Sequence, residues 1–195
     1  AVSRDIEAEF GAGLAKLHRT TSARFGFDAD NFIGSTAQPN DWRASWGEFY
    51  AQQRLGFQLD LARKNGLGAR LQKAGERLLR VLPNLFAEHA PQPSLLHGDL
   101  WSGNRACDEH CRPVIFDPAV YYGDREADLA MTRLFGGFGA DFYAAYQQEW
   151  PLPPGASGRM DLYNLYHVLN HANLFGGAYR DQALVLIQRL LSGMV

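Results

Sequence analysis

Cysteine is scarce in this chain: Cys107 and Cys111 are the only two. With His110 between them they spell C-x-x-H-C, yet no second ligand pair stands at a suitable spacing, so a hairpin turn carrying two thiols is expected rather than a four-ligand zinc. A disulfide between them is not expected in a reducing cytosol. Excess charge is missing too. The net charge is −2 and the arginines are scattered, which argues against nucleic acid as a partner. No apolar run reaches the length of a membrane span, and no signal peptide is visible ahead of the first expected helix. Repeats and low-complexity tracts are absent, and no feature specifies an oligomeric state. These absences point to a cytoplasmic protein without a membrane partner. What is present is 46% hydrophobic residues in a chain of 195, ordinary for one domain, 1–195, with a proper core.

Helical spacing dominates the pattern, with short strands near the middle. Arg4–His18 is expected as a helix, Asp28–Gln38 as a loop punctuated by Pro39, and Asn40 or Asp41 as the cap of a long helix. On that helix Trp42, Trp46, Phe49, Tyr50, Phe57 and Leu61 recur at helical spacing, the pattern of a core face. Leu67–Leu82 reads as an amphipathic helix ending near Pro83. Ser94–His97 reads as a buried strand, and Arg105–Cys107 as the hairpin partner of Val114–Phe116 across Asp108–Pro113. Asp124 is placed to cap a helix running to about Leu134. Ala140–Trp150 is helical, PLPPGASG is a linker, and Met160–Phe175 and Ala178–Leu191 close the chain around Gly176-Gly177.

The densest chemistry lies in His97-Gly98-Asp99-Leu100-Trp101-Ser102-Gly103-Asn104, followed by Phe116-Asp117-Pro118. Phosphoryl transfer asks a protein to position an acceptor hydroxyl, to hold Mg²⁺ and to neutralise phosphate charge. Asp99 is suited to accept the hydroxyl proton. Asn104 and Asp117 offer oxygen ligands to Mg²⁺, a cation that prefers oxygen. The order of base, Asn and Asp matches the protein-kinase catalytic loop and its metal-binding Asp, with HGD for HRD and FDP for DFG. A plain polar loop would explain one such residue but not the ordered set. Trp101, two residues after the base, is read as a substrate-stacking indole, against packing on the last helices. Asp128 is read as a brace for the catalytic loop, against a solvated acid in a first helical turn. His97 is read as a structural tie of that loop, against a phosphate contact. His167 and His171, four apart on one helix, are read as packed or substrate-facing rather than metal-binding. For His18 a favourable place at a helix end suffices, and His89 needs no function.

LLHGDLWSGN (95–104) and FDPAVYYGDREADLAM (116–131) resemble the fructosamine kinase, or ketosamine-3-kinase, family, which belongs with the aminoglycoside phosphotransferases in the protein-kinase-like fold. FGAGLAKLH (10–18) resembles the first long helix of that family's second lobe. The stretch from Asp30 to Ala62 resembles one that other phosphotransferases lack, and LYNLYHVLNHANLFGGAY (162–179) resembles the family's C-terminal helices. The resemblance implies an α+β, mostly helical C-terminal lobe with a small catalytic β-hairpin, using ATP and Mg²⁺. It implies phosphorylation of a sugar hydroxyl in a fructosamine or ribulosamine, free or protein-bound, which leads to deglycation.

The chain lacks one set of parts that the resemblance calls for. Lysine occurs only at Lys16, Lys64 and Lys73, none in a run like V-A-I-K, and no glycine-rich loop lies between strand-like runs near the start. Residue 1 is Ala, not Met. The expectation is that the ATP-clamping N-terminal lobe is absent and that the chain is incomplete for activity. Another small-molecule kinase, of aminoglycoside, choline or homoserine type, and a non-catalytic binding lobe stand as the alternatives.

Overall fold

The computed structural model describes residues 4–193. Helix α1 (Arg4–His18) buries Phe10, Leu14 and Ala15 against Phe142 and Tyr146 of α6 (Ala140–Glu149), together with Leu100 and Leu129. A second and larger core gathers the aromatic stripe. Trp46, Phe49 and Tyr50 pack with Leu78 and Leu82 of α4 (Ala69–Leu85) and with Tyr163 and Tyr166 of α7 (Ala156–Phe175). The closing helix α8 (Ala178–Ser192) adds Leu186, Ile187 and Leu190. The loop from His97 to Asn104 runs between these two cores, with Leu100 in the first and Leu96, just before it, in the second.

Three two-stranded antiparallel sheets complete the fold. The expected hairpin forms from β4 (Arg105–Cys107) and β5 (Pro113–Ile115), its second strand one residue earlier than expected, with Arg105 opposite Ile115. The buried strand β3 (Ser94–Leu96) pairs with β6 (Tyr121–Gly123), a partner the sequence pattern did not disclose. Helix α5 (Glu126–Leu134) follows at once, and the Asp124 carboxylate accepts the Glu126 amide as a cap would.

Two expectations fail between residues 28 and 64. The segment expected as a loop contains a hairpin, β1 (Asn31–Ile33) with β2 (Thr36–Gln38). The long helix starts at Trp46, capped by Ser45, and neither Asn40 nor Asp41 caps it. Both side chains are engaged elsewhere. Asn40 accepts from Arg54 and donates to Ala29, and Asp41 accepts from Gln53. The helix is not uniform: α2 (Trp46–Phe49) passes through a π-helical stretch, Tyr50–Gly56, into α3 (Phe57–Lys64). That wider turn directs Arg54 inward, where it is fully buried over the Tyr121 ring at 3.9 Å and donates to the Pro39 carbonyl at 2.7 Å. Two boundaries also shift. Helix α4 continues past Pro83 to Leu85, where the missing amide removes only a bond of the final turn, and α7 begins at Ala156 rather than Met160.

Candidate active site

Strand β3 delivers the chain to His97, and the following loop is fixed from behind. The Asp128 carboxylate of α5 accepts the amides of His97 at 2.8 Å and Gly98 at 2.9 Å. It also bonds the ring of His18 at 3.1 Å, and the other nitrogen of that ring meets the Tyr146 hydroxyl at 2.8 Å. His18 does end α1, as expected, but a helix-end position does not account for it: it is fully buried and links α1 and α6 to the brace. Burial pushes the Asp128 carboxyl up, but the His18 hydrogen bond, the nearby His97 and the Gly98 amide outweigh it and hold the carboxyl below its ordinary value.

The His97 ring ties the loop to the strand that ends at Asp117. Its Nε2 bonds the Phe116 carbonyl at 2.9 Å, and its Nδ1 faces the Asp99 amide at 3.3 Å. Gly98 turns with φ of 82°, and a Cβ there would stand 2.0 Å from the Ala119 carbonyl oxygen, so no other residue fits. Gly103 is needed for a different reason: the Trp101 indole lies on it, 2.3 Å from where a Cβ would be.

Asn104 donates its amide N–H groups to the carbonyls of Asp99 at 3.0 Å and Asp117 at 3.5 Å, which leaves the amide oxygen on the other side. Asp117 has φ of 57°, a left-handed conformation that few non-glycine residues adopt. The segment after it is gripped from two directions. The Ala119 amide donates to His97, its carbonyl accepts from Gln38, and Asn31 donates to the Val120 carbonyl. The hairpin that the sequence reading missed thus supports the strand end that carries Asp117.

Asp99, Trp101, Asn104 and Asp117 line one cavity of about 500 Å³. His97 and Asp128 lie behind it. Burial raises the Asp99 carboxyl to about 6; the neighbouring His97 and His171 act in the opposite direction, and Asp117 and Asp128 add repulsion. His171 lines the same cavity, as do Phe135, Phe175 and Tyr179. His167 does not. It is buried, its imidazole is pushed down to about 3 by burial, and its Nδ1 lacks a partner. The i,i+4 spacing of the two histidines was legible; that only the later one clears the core depends on how α7 packs. Elsewhere, His89 approaches Asp124 at 2.5 Å, and Arg159 grips Glu126 at 2.7 and 2.8 Å. Tyr163 donates to Asp124, so this acid pair is occupied by protein donors.

The sequence profile of the family described as fructosamine kinase matches residues 2–193. A protein of Vibrio parahaemolyticus named probable ketoamine kinase is 50% identical over 185 residues, covering 94% of this chain and 63% of its own length. The chloroplastic protein-ribulosamine 3-kinase of Arabidopsis thaliana is 48% identical over 191 residues, covering 97% of this chain and 58% of its own. A crystal structure from Thermobifida fusca, assigned to fructosamine-3-kinase, superposes with a TM-score of 0.91 at 34% identity, covering 97% of this chain and 66% of that one. The chain thus spans just under two thirds of the Vibrio relative and of that solved structure, and less of the plant relative.

Proposed function

The chain belongs to the fructosamine kinase family, and from that premise we propose that it carries the acceptor side of an ATP-dependent kinase for a sugar hydroxyl of ketosamines. The observation that carries the proposal is the meeting of Asp99, Asn104 and Asp117 in one cavity, with the Asp99 carboxyl raised to about 6. A base poised near neutrality accepts a hydroxyl proton as the phosphoryl group arrives and remains ionised at pH 7. Asp99 takes that role. Asn104 and Asp117 present an amide oxygen and a carboxylate to the cavity, a donor set that fits Mg²⁺, and they would hold it. When bound, that cation neutralises charge on the ATP phosphates. Trp101, 40% exposed at the cavity wall, offers an indole face to the sugar. Asp128 and His97 keep the loop in place and touch no reactant.

Protein-ribulosamine 3-kinase is the name of the plant relative, and the substrate class follows from it: a ketosamine formed on an amine, whose phosphate sheds its sugar and so reverses glycation. The unpaired, exposed thiols of Cys107 and Cys111 suit a reducing compartment such as the cytoplasm. Among the described residues the lysines lie on α1, α3 and α4, and none lines the cavity. We assign the clamping of ATP phosphates to a segment outside these 195 residues.

A coupled assay of ATP consumption with a ribulosamine acceptor tests the reading on full-length protein and on the 195-residue chain. Turnover by the full-length protein and none by the chain is the expected pair of results. Activity toward choline, homoserine or an aminoglycoside in place of ketosamines would overturn the substrate class, and equal turnover by both would overturn the missing clamp.

A further inference from the structure

Part of the cavity wall consists of rings. Phe135, His171, Phe175 and Tyr179 line the same space as Asp99. The His171 centroid lies 5.2 Å from Phe135, 5.7 Å from Phe175 and 5.0 Å from Tyr179, and Phe175 lies 6.2 Å from Tyr179. Phe175 closes α7 and Tyr179 opens α8; the Gly176-Gly177 turn brings them together. The His171 Nδ1–H is spent on the His167 carbonyl at 2.8 Å, which fixes the ring's orientation. Phe175 is nevertheless 68% exposed. Rings held in a fixed group and left open beside a catalytic acid are suited to a ligand rather than to packing.

The charge pattern of the wall narrows the ligand. Asp99 and Asp117 are the acids among the described residues that line the cavity, and the proposed reaction uses both. Away from them the wall holds no further acid; it offers the neutral groups of Ser102 and Asn170 and the ring faces. The geometry points to a seat for a substituted ammonium group on Phe135, Phe175 and Tyr179, oriented around His171. The inference rests on the ketosamine reading, which supplies the group: a ketosamine holds an alkylamine next to its sugar, and alkylamines keep their proton at neutral pH. Aromatic faces attract such cations. The seat would separate a ketosamine from the parent ketose, which has a neutral hydroxyl at that position. Because Phe175 stands open to solvent, the rest of the amine substituent can leave through the mouth, whether it is a small amine or a lysine side chain.

The test is a binding measurement on full-length protein without ATP. Titration calorimetry compares N-butyl-1-amino-1-deoxyribulose with its 1-O-butyl ether analogue, which has the same shape and no charge. The amine is expected to bind about 3- to 30-fold more tightly. Phe175→Leu and Tyr179→Leu keep apolar bulk and remove the π face, so each should bring that ratio toward one. Equal affinities in the unaltered protein, binding of neither compound, or a ratio unchanged in both variants would overturn the seat. Turnover is read separately. An amine that binds selectively and is never phosphorylated by full-length protein would sink the ketosamine kinase reading while the ring seat stands.

Discussion

On the side of the cavity that presents Asn104 and Asp117, nearly every group is fastened to backbone. Asp128 holds two loop amides, His97 bridges Phe116 and Asp99, and Asn104 bonds two carbonyls. The ring-lined side has a different construction. Trp101, Phe135, Leu174 and Phe175 are all exposed there, and they meet neighbours through ring faces and apolar edges. The difference follows from the chemistry each side is assigned. Positioning a proton acceptor and two oxygen ligands needs directional bonds with little freedom. An acceptor that arrives on many different amines is better met by apolar faces, which do not specify direction. The two sides should therefore respond differently to substitution.

The largest effect belongs to Asp99. In full-length protein, Asp99→Asn should lower turnover by roughly 10²–10⁴-fold with ATP affinity nearly intact, and wild-type kcat/KM should fall as pH drops through about 6. The same substitution should stabilise the fold. An acid raised from 3.8 to about 6 binds its proton more tightly folded than unfolded, so stability falls as pH rises across that window. The shift amounts to about 3 kcal/mol at neutral pH. Urea melts should show the variant more stable at pH 7 and no more stable below pH ~4.

Asp128→Ala breaks the rigid side itself. It leaves two amides and the His18 ring without an acceptor and should cost about 3–5 kcal/mol in urea melts. The sign of its pH dependence is opposite to that of Asp99. A lowered carboxyl stabilises the fold above its unfolded value of about 4 and loses that contribution as pH falls through its folded value. The variant should accordingly lose less stability than wild type as pH falls below about 4.

Arg54→Met probes the support from the hairpin side. It removes the donor to Pro39 and Asn40 and the cation over Tyr121, so a loss of about 2–4 kcal/mol in urea stability is expected. The smallest effect lies at the mouth. Trp101→Leu should weaken acceptor binding by about 2- to 10-fold, with a stability change under about 1 kcal/mol. A stability loss larger than the binding loss would make the indole a packing residue and blur the contrast between the two sides.

Local chemistry was open to reading from the residues alone. The order Asp99, Asn104, Asp117 states which groups a loop and the strand after it can offer, and the turn residues of the β4–β5 hairpin give its position. Helical spacing located α1, α6 and α8 because each keeps an apolar face along its own length. Contacts between distant segments decided the rest. The β1–β2 hairpin is three residues a strand and holds its place through Gln38 and Asn31 on a segment more than eighty residues away. Asn40 looked like a helix cap until the π-helical turn brought Arg54 to it. His18 could be explained by its helix end until α5 and α6 surrounded it. The ring wall joins residues of α7 and α8 to Phe135, just beyond α5. A side chain's local preference is set by its neighbours in sequence, whereas burial, hydrogen-bond partners and a shifted carboxyl are set by whatever the folded chain places against it.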